Sequence, residues 1–103
     1  MDPDLSTIRT DWIARVDYRV RRRRFGQTTF LIRNNEYVTI EPLADTAWLA
    51  CERDWTVAEI IRLVAERHSL PIESALSATV EALERFRALG FMTYEAGEPV
   101  AGS

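Results

Sequence analysis

Apolar and polar residues alternate along residues 36–41, residues 28–33 are rich in β-branched and aromatic side chains, and residues 18–25 suit a strand better than a helix. Alternation at every second position is typical of strands, because successive side chains of a strand point to opposite faces. The pattern predicts three strands, at residues 18–25, 28–33 and 36–41.

Short turn signals separate the three predicted strands. Gly26-Gln27 lies between the first two strands, and glycine accepts the positive φ that a tight hairpin turn requires. Asn34-Asn35 lies between the second and third strands, and asparagine tolerates the left-handed conformation. The three strands are therefore predicted to form an antiparallel meander.

The pattern changes after Pro42, where apolar residues recur at helical spacing. Proline ends a strand ladder and suits the first turn of a helix, which is predicted from Leu43 to Glu52. Thr56 and Glu59 have the spacing of a capping box ahead of an apolar run, and they predict the start of a second helix.

A third and longer helix is predicted from Pro71 to Leu89, and Gly90 is a typical residue just past a helix end. It has two overlapping faces: Leu76, Thr79, Leu83 and Phe86 form one, and Leu76, Val80, Leu83 and Arg87 form the other. Three strands followed by three helices predict an α+β fold of winged-helix-like type.

Length and composition indicate the number of domains and their bounds. A chain of 103 residues, 47% apolar, is one domain with a single core. Residues 1–16 are predicted to be an N-terminal extension and residues 95–103 a flexible C-terminal tail. The polar start, the lack of an apolar run of about 18 residues and the lone Cys51 predict a cytoplasmic protein without disulfides.

The charges are unevenly divided. Residues 1–33 carry eight Arg and four Asp, a balance of +4, whereas residues 34–103 carry five Arg and twelve acidic residues, a balance of −7. Alternation places Arg22 and Arg24 on one face of the first strand with Val20, and Arg21 and Arg23 on the other with Phe25. Two interpretations stay open: the arginines contact an acidic partner, or they protect an edge strand from aggregation.

Catalytic chemistry is sparse. His68 is the only histidine and lies at the predicted end of the second helix, where a positive charge is favourable. Cys51 lies on an apolar helix and is predicted to be a small core residue. There is no metal-ligand spacing, phosphate loop or nucleophile motif. We therefore expect no catalytic residue, no metal and no cofactor.

Two functions fit such a module: DNA binding with the arginine hairpin as a wing, and peptide or protein binding at an exposed sheet edge. A recognition helix presents basic or amide side chains to the bases. The third helix instead carries Glu73, Glu81 and Glu84 against Arg85 and Arg87, and acidic side chains that face phosphates weaken binding. This balance favours peptide binding, and DNA binding is the alternative.

Several motifs, in this order, resemble the PqqD-like family, also called the RiPP recognition element. The matching features are the hairpin "RRRRFG", Ile40-Glu41-Pro42 in place of the family's Leu-Asn-Pro, Trp48, the "T-x-x-E-I" step of Thr56, Glu59 and Ile60, and the closing Leu83, Phe86, Gly90 and Phe91. The similarity covers residues 18–93. The chain departs from the family at Glu41, where asparagine is usual, and at Thr79, where an apolar residue is usual.

The resemblance implies that residues 17–94 are a non-catalytic chaperone domain. Such domains bind the leader of a ribosomally made precursor peptide by strand addition and present the peptide to a modifying enzyme, in some members a radical SAM maturase. The implied leader-binding residues are Tyr37, Val38, Thr39 and Ile40 on the third strand and Leu76, Val80, Leu83 and Arg87 on the third helix. Arg21, Arg22, Arg23 and Arg24 then lie on the sheet edge far from the leader groove, and contact with an acidic partner enzyme and protection of the edge stay their two open interpretations.

Overall fold

Strands fill the first part of the chain and helices most of the remainder, in a computed structural model that describes residues 9–96. The strands are β1 (Ile13–Val16), β2 (Arg21–Phe25), β3 (Thr28–Arg33), β4 (Glu36–Ile40) and β5 (Met92–Glu95). The helices are α1 (Pro42–Cys51), α2 (Val57–Arg67) and α3 (Ile72–Ala88). β2, β3 and β4 form an antiparallel sheet in that order, and β1 pairs with β5. The protein is a small α+β domain, and the predicted meander and three helices are confirmed.

Local signals place most element ends where the sequence predicts them. Thr56 and Glu59 form the capping box at the start of α2. Gly26 and Asn34 adopt φ values of 61° and 56° in the two hairpin turns, and Gly90 adopts 78° after α3. Each of these residue types tolerates the left-handed region, so the predicted turns and helix end are confirmed.

The first strand of the meander begins later than predicted. The Asp17 carboxylate accepts a hydrogen bond from the Arg19 backbone N–H at 2.9 Å, and the Val20 N–H donates to the Asp17 carbonyl at 3.0 Å. These bonds close a turn, and they leave Tyr18 90% exposed. The prediction that the strand starts at residue 18 is therefore wrong, because an aspartate-stabilised turn competes with extended backbone there.

The core lies where the three helices meet the inner face of the meander. Trp48 of α1 packs edge-to-face on Phe86 of α3, with ring centroids 5.1 Å apart. Leu31 of β3 is also fully buried, so it ties the meander to this cluster. Cys51 is a buried core residue as predicted, and burial raises the pKa of its thiol to about 12.

Residues 13–16, within the predicted N-terminal extension, form a strand that packs against the domain. β1 pairs with β5, and Ala14 is wholly buried. Trp12 packs on Tyr94 at 5.5 Å, and its carbonyl accepts the Val57 N–H at 2.9 Å. Glu95, the first residue of the predicted C-terminal tail, belongs to β5. Residues 97–103 of that tail lie outside the described residues, as do residues 1–8.

Candidate functional site

The outer edge of β4 is the first part of the candidate site. The sheet order makes β4 an edge strand, and within residues 9–96 it pairs with β3 alone. Ile40 is buried and Val38 packs against the core, whereas Tyr37 is 66% exposed and Thr39 is exposed with it. The predicted alternation of this strand is confirmed.

The direction of the β4 backbone follows from a contact with α3. Arg85 Nη2 donates a hydrogen bond to the Thr39 carbonyl at 3.3 Å. In an antiparallel strand, the N–H and C=O of one residue point to the same side, and the side alternates along the strand. The N–H and C=O groups of Tyr37 and Thr39 therefore point outward, whereas those of Val38 point to β3. Two outward N–H groups and one unbonded outward carbonyl remain at this edge.

A cleft of about 330 Å³ opens beside the end of β4, between the first turn of α1 and α3. Five apolar side chains and three charged ones line it: Leu43, Ala44, Ala78, Ala82, Phe86, Glu41, Glu81 and Arg85. This volume is near the lower limit of about 300 Å³ for small-molecule pockets. Such a cleft has room for one or two side chains.

The cleft is lined by a different face of α3 from the one predicted. Ala78, Ala82 and Arg85 follow helical spacing along this face. Arg87 lies on roughly the opposite side of the helix from Arg85, since two residues span about 200° of turn. It pairs with Glu84 at 2.7 Å.

The other predicted wall residues also lie away from the cleft lining. Leu83 is wholly buried in the core, Val80 is buried, and Leu76 is 37% exposed. The neighbouring Glu84 accepts a hydrogen bond from the Tyr94 hydroxyl of β5 at 2.8 Å, so this side of α3 faces β5. The large apolar residues marked the packed side of the helix. The small residues Ala78 and Ala82, four apart, were the signal for the cleft.

The four consecutive arginines have different surroundings. Arg22 forms a bidentate pair with Asp45 of α1, at 2.6 and 2.7 Å, and Arg24 donates to the Gly26 carbonyl at 3.3 Å. Arg21 and Arg23 are exposed on the other face, and no ion-pair partner for either lies in the described part of the chain. Arg22 therefore connects the meander to the helices.

The single histidine has a packing partner. Its Nε2 lies 2.8 Å from Thr46 Oγ1, so His68 connects the end of α2 to α1. Within residues 9–96 there is no group of His, Cys, Asp and Glu side chains that could hold a metal ion. No helix in that range is long and apolar enough to cross a membrane.

Three comparisons with known proteins found no match. No family model, curated protein or solved structure matches this chain. The likeness to the PqqD-like family therefore rests on the sequence motifs. In the fold, Pro42 begins α1, Trp48 lies in the core, and Thr56 and Glu59 cap α2.

Proposed function

We propose that the protein is a non-catalytic, winged-helix-like, cytoplasmic module that binds the leader of a precursor peptide and presents it to a modifying enzyme. The observation that carries the proposal is the outward backbone of Tyr37 and Thr39 beside an apolar cleft. Strand addition uses both parts, because main-chain hydrogen bonds give affinity and pockets for alternate side chains give specificity.

The peptide lies next to β4 as a fourth strand of the meander. Its backbone pairs with the outward groups of Tyr37 and Thr39, and an apolar side chain enters the cleft between Leu43 and Ala82. The Thr39 carbonyl exchanges its guanidinium donor for a peptide N–H. Arg85 then stands at the rim of the cleft, where it can pair with a carboxylate or a carbonyl of the peptide.

DNA binding, the alternative, has less support. Arg22 of the hairpin forms an ion pair with Asp45. This pairing lowers the positive charge that the hairpin can offer to phosphates. Glu73 and Glu81 are exposed on α3, and an acidic helix opposes binding in the major groove. Double-stranded DNA is therefore expected to bind weakly and only at low salt.

Titration calorimetry tests the proposal with synthetic leader peptides of the precursors encoded beside its gene. We expect a dissociation constant between about 1 μM and 1 nM, which corresponds to roughly 8–12 kcal/mol. The absence of heat with every such leader would contradict the proposal. Sequence-specific DNA binding at physiological salt would favour the alternative.

A further inference from the structure

The outer face of the meander is aromatic and basic. It carries no acidic side chain, and its members are Arg21, Arg23 and Phe25 of β2, Thr28, Phe30 and Ile32 of β3, and Tyr37 and Thr39 of β4. Phe25 is 64% exposed, and Tyr37 is exposed to a similar extent. These aromatic side chains lie outside the core, and exposed apolar side chains that are contiguous, rather than scattered singly, mark interaction sites.

Three of these side chains form a continuous apolar strip across the sheet. The ring centroids of Phe25 and Phe30 are 5.7 Å apart, and those of Phe30 and Tyr37 are 5.9 Å apart. Both pairs meet edge-to-face, at 68° and 62°. The three rings therefore form one contiguous apolar patch, and such patches mark interaction sites.

Two exposed guanidinium groups lie beside the strip. Arg21 pairs in register with Ile32, and Arg23 with Phe30, so both belong to the same face as the rings. Neither has an ion-pair partner among residues 9–96. Aromatic residues and arginine are enriched in protein interfaces, and arginine pairs carboxylates through two parallel hydrogen bonds.

We propose that the outer face of the meander docks a partner protein whose surface presents carboxylates beside apolar side chains. This inference goes beyond the proposed function, because the leader would use backbone groups in the plane of the sheet. Outer-face side chains stand roughly perpendicular to that plane. Arg21, Arg23 and Phe25 lie on β2, two strands from the β4 edge, about 10 Å away. The two surfaces meet only on β4, where Tyr37 and Thr39 present backbone groups to the leader and side chains to the outer face, so both surfaces can be occupied together.

The alternative occupant, single-stranded nucleic acid, fits this face less well. Binding of a single strand uses separate ring faces for successive bases and a basic groove along the backbone. Here Phe30 meets both of its aromatic neighbours edge-to-face, and two guanidinium groups give a short basic surface. Charge complementarity beside a continuous apolar strip favours a polypeptide.

Binding of defined acidic polymers to the full-length protein tests the outer face of the meander. Fluorescence anisotropy measures its binding to a random copolymer of glutamate and tyrosine, to polyglutamate and to oligouridylate. We expect the copolymer to bind at least tenfold more tightly than polyglutamate, because it offers rings as well as carboxylates. The double variant Arg21→Glu/Arg23→Glu should lose at least tenfold in copolymer affinity. Phe25→Ser should lose several-fold without a change of charge.

The matched control makes the same two charge reversals at a different place on the protein. Arg53→Glu/Arg62→Glu changes two exposed arginines of the helical half and should keep most of the copolymer affinity. Equal losses in the two double variants would overturn the proposal, and so would tighter binding of oligouridylate than of the copolymer.

If circular dichroism shows that the outer-face double variant is unfolded, the Phe25→Ser variant decides the question. Unchanged copolymer affinity of that variant would then overturn the proposal. Leader titrations on the same variants should be unchanged, so a failure of this proposal is distinguishable from a failure of leader binding.

Discussion

The two edges of the meander differ in charge. The β2 edge carries four consecutive arginines, Arg21–Arg24, whereas β4 carries Glu36 followed by four uncharged residues that end at Ile40. Charged side chains on an edge strand oppose pairing with a further chain. The sheet therefore has one edge that is protected by charge and one edge, β4, that lacks this protection.

The β4 edge has a different and reversible form of protection. Its outward Thr39 carbonyl is held by the exposed side chain of Arg85 rather than by another strand. An exposed hydrogen bond of this kind contributes about 0.5–1.5 kcal/mol net, and a peptide N–H can replace it. The position of charge along the strands therefore separates the two edges, and it is the reason why we propose the β4 edge, rather than the β2 edge, as the peptide site.

The largest expected effect comes from proline inside the β4 ladder. Val38→Pro removes an N–H that points to β3 and a side chain that packs against the core. We expect a loss of roughly 2–4 kcal/mol in the free energy of unfolding, measured by urea denaturation. Thr39→Pro, the matched control one residue away, should lose less than about 1 kcal/mol because its N–H points outward. Equal losses would show that the assigned direction of the backbone is wrong.

The next effect tests the cleft beside the β4 edge. Ala78→Trp places a large side chain in the cleft between α1 and α3, so an apolar side chain of the leader can no longer enter. We expect leader affinity to fall at least tenfold, or about 1.4 kcal/mol, in titration calorimetry. Ser77→Trp, at the neighbouring exposed position, should bind the leader as the parent does. If both variants bind normally, the cleft is not part of the peptide site.

A smaller effect is expected when proline variants of the two edges are compared in leader binding. Thr39→Pro on β4 and Arg24→Pro on β2 each remove one outward N–H, since the hairpin closes on Phe25 and Thr28 and the direction alternates. Both proteins should fold. Only Thr39→Pro should weaken leader binding, by about 0.5–1.5 kcal/mol, because one main-chain hydrogen bond is lost. A similar loss in the β2 variant would show that the leader does not distinguish the edges.

The sequence predicted those parts of the fold that depend on neighbouring residues. The capping box at Thr56, the turn at Asn34 and the helix end at Gly90 are each decided within a few positions. Alternation also grouped Arg22 with Val20 and Val38 with Ile40, and both groups lie on the inner face of the meander. In each case a local periodicity or a single residue's backbone preference was enough.

The parts that were missed depend on contacts between distant residues. Arg85 is 46 residues from the Thr39 carbonyl that it binds, and Arg22 is 23 residues from Asp45. Large apolar residues on α3 mark the core, so the predicted wall of Leu76, Val80, Leu83 and Arg87 does not include Ala78 and Ala82, which line the cleft. Small residues give a weak hydrophobic signal, and only the neighbouring elements show which stripe of a helix remains open.

The smallest expected effect concerns acid stability at the turn before the β2 edge. Hydrogen bonds from Arg19, and with them one from Arg33, hold the pKa of the Asp17 carboxyl well below its ordinary value of about 3.9. A lowered pKa in the folded state means that ionised Asp17 stabilises the fold above about pH 4, and that this contribution is lost as the pH falls below 4. Asp17→Asn should therefore be less stable than the parent at pH 6, and the difference in melting temperature should shrink at pH 3. Thermal melts of the same two proteins at both pH values provide the control. A difference that stays constant would show that the ion pairs of Asp17 contribute nothing to the fold and that the turn is held by its backbone bonds alone.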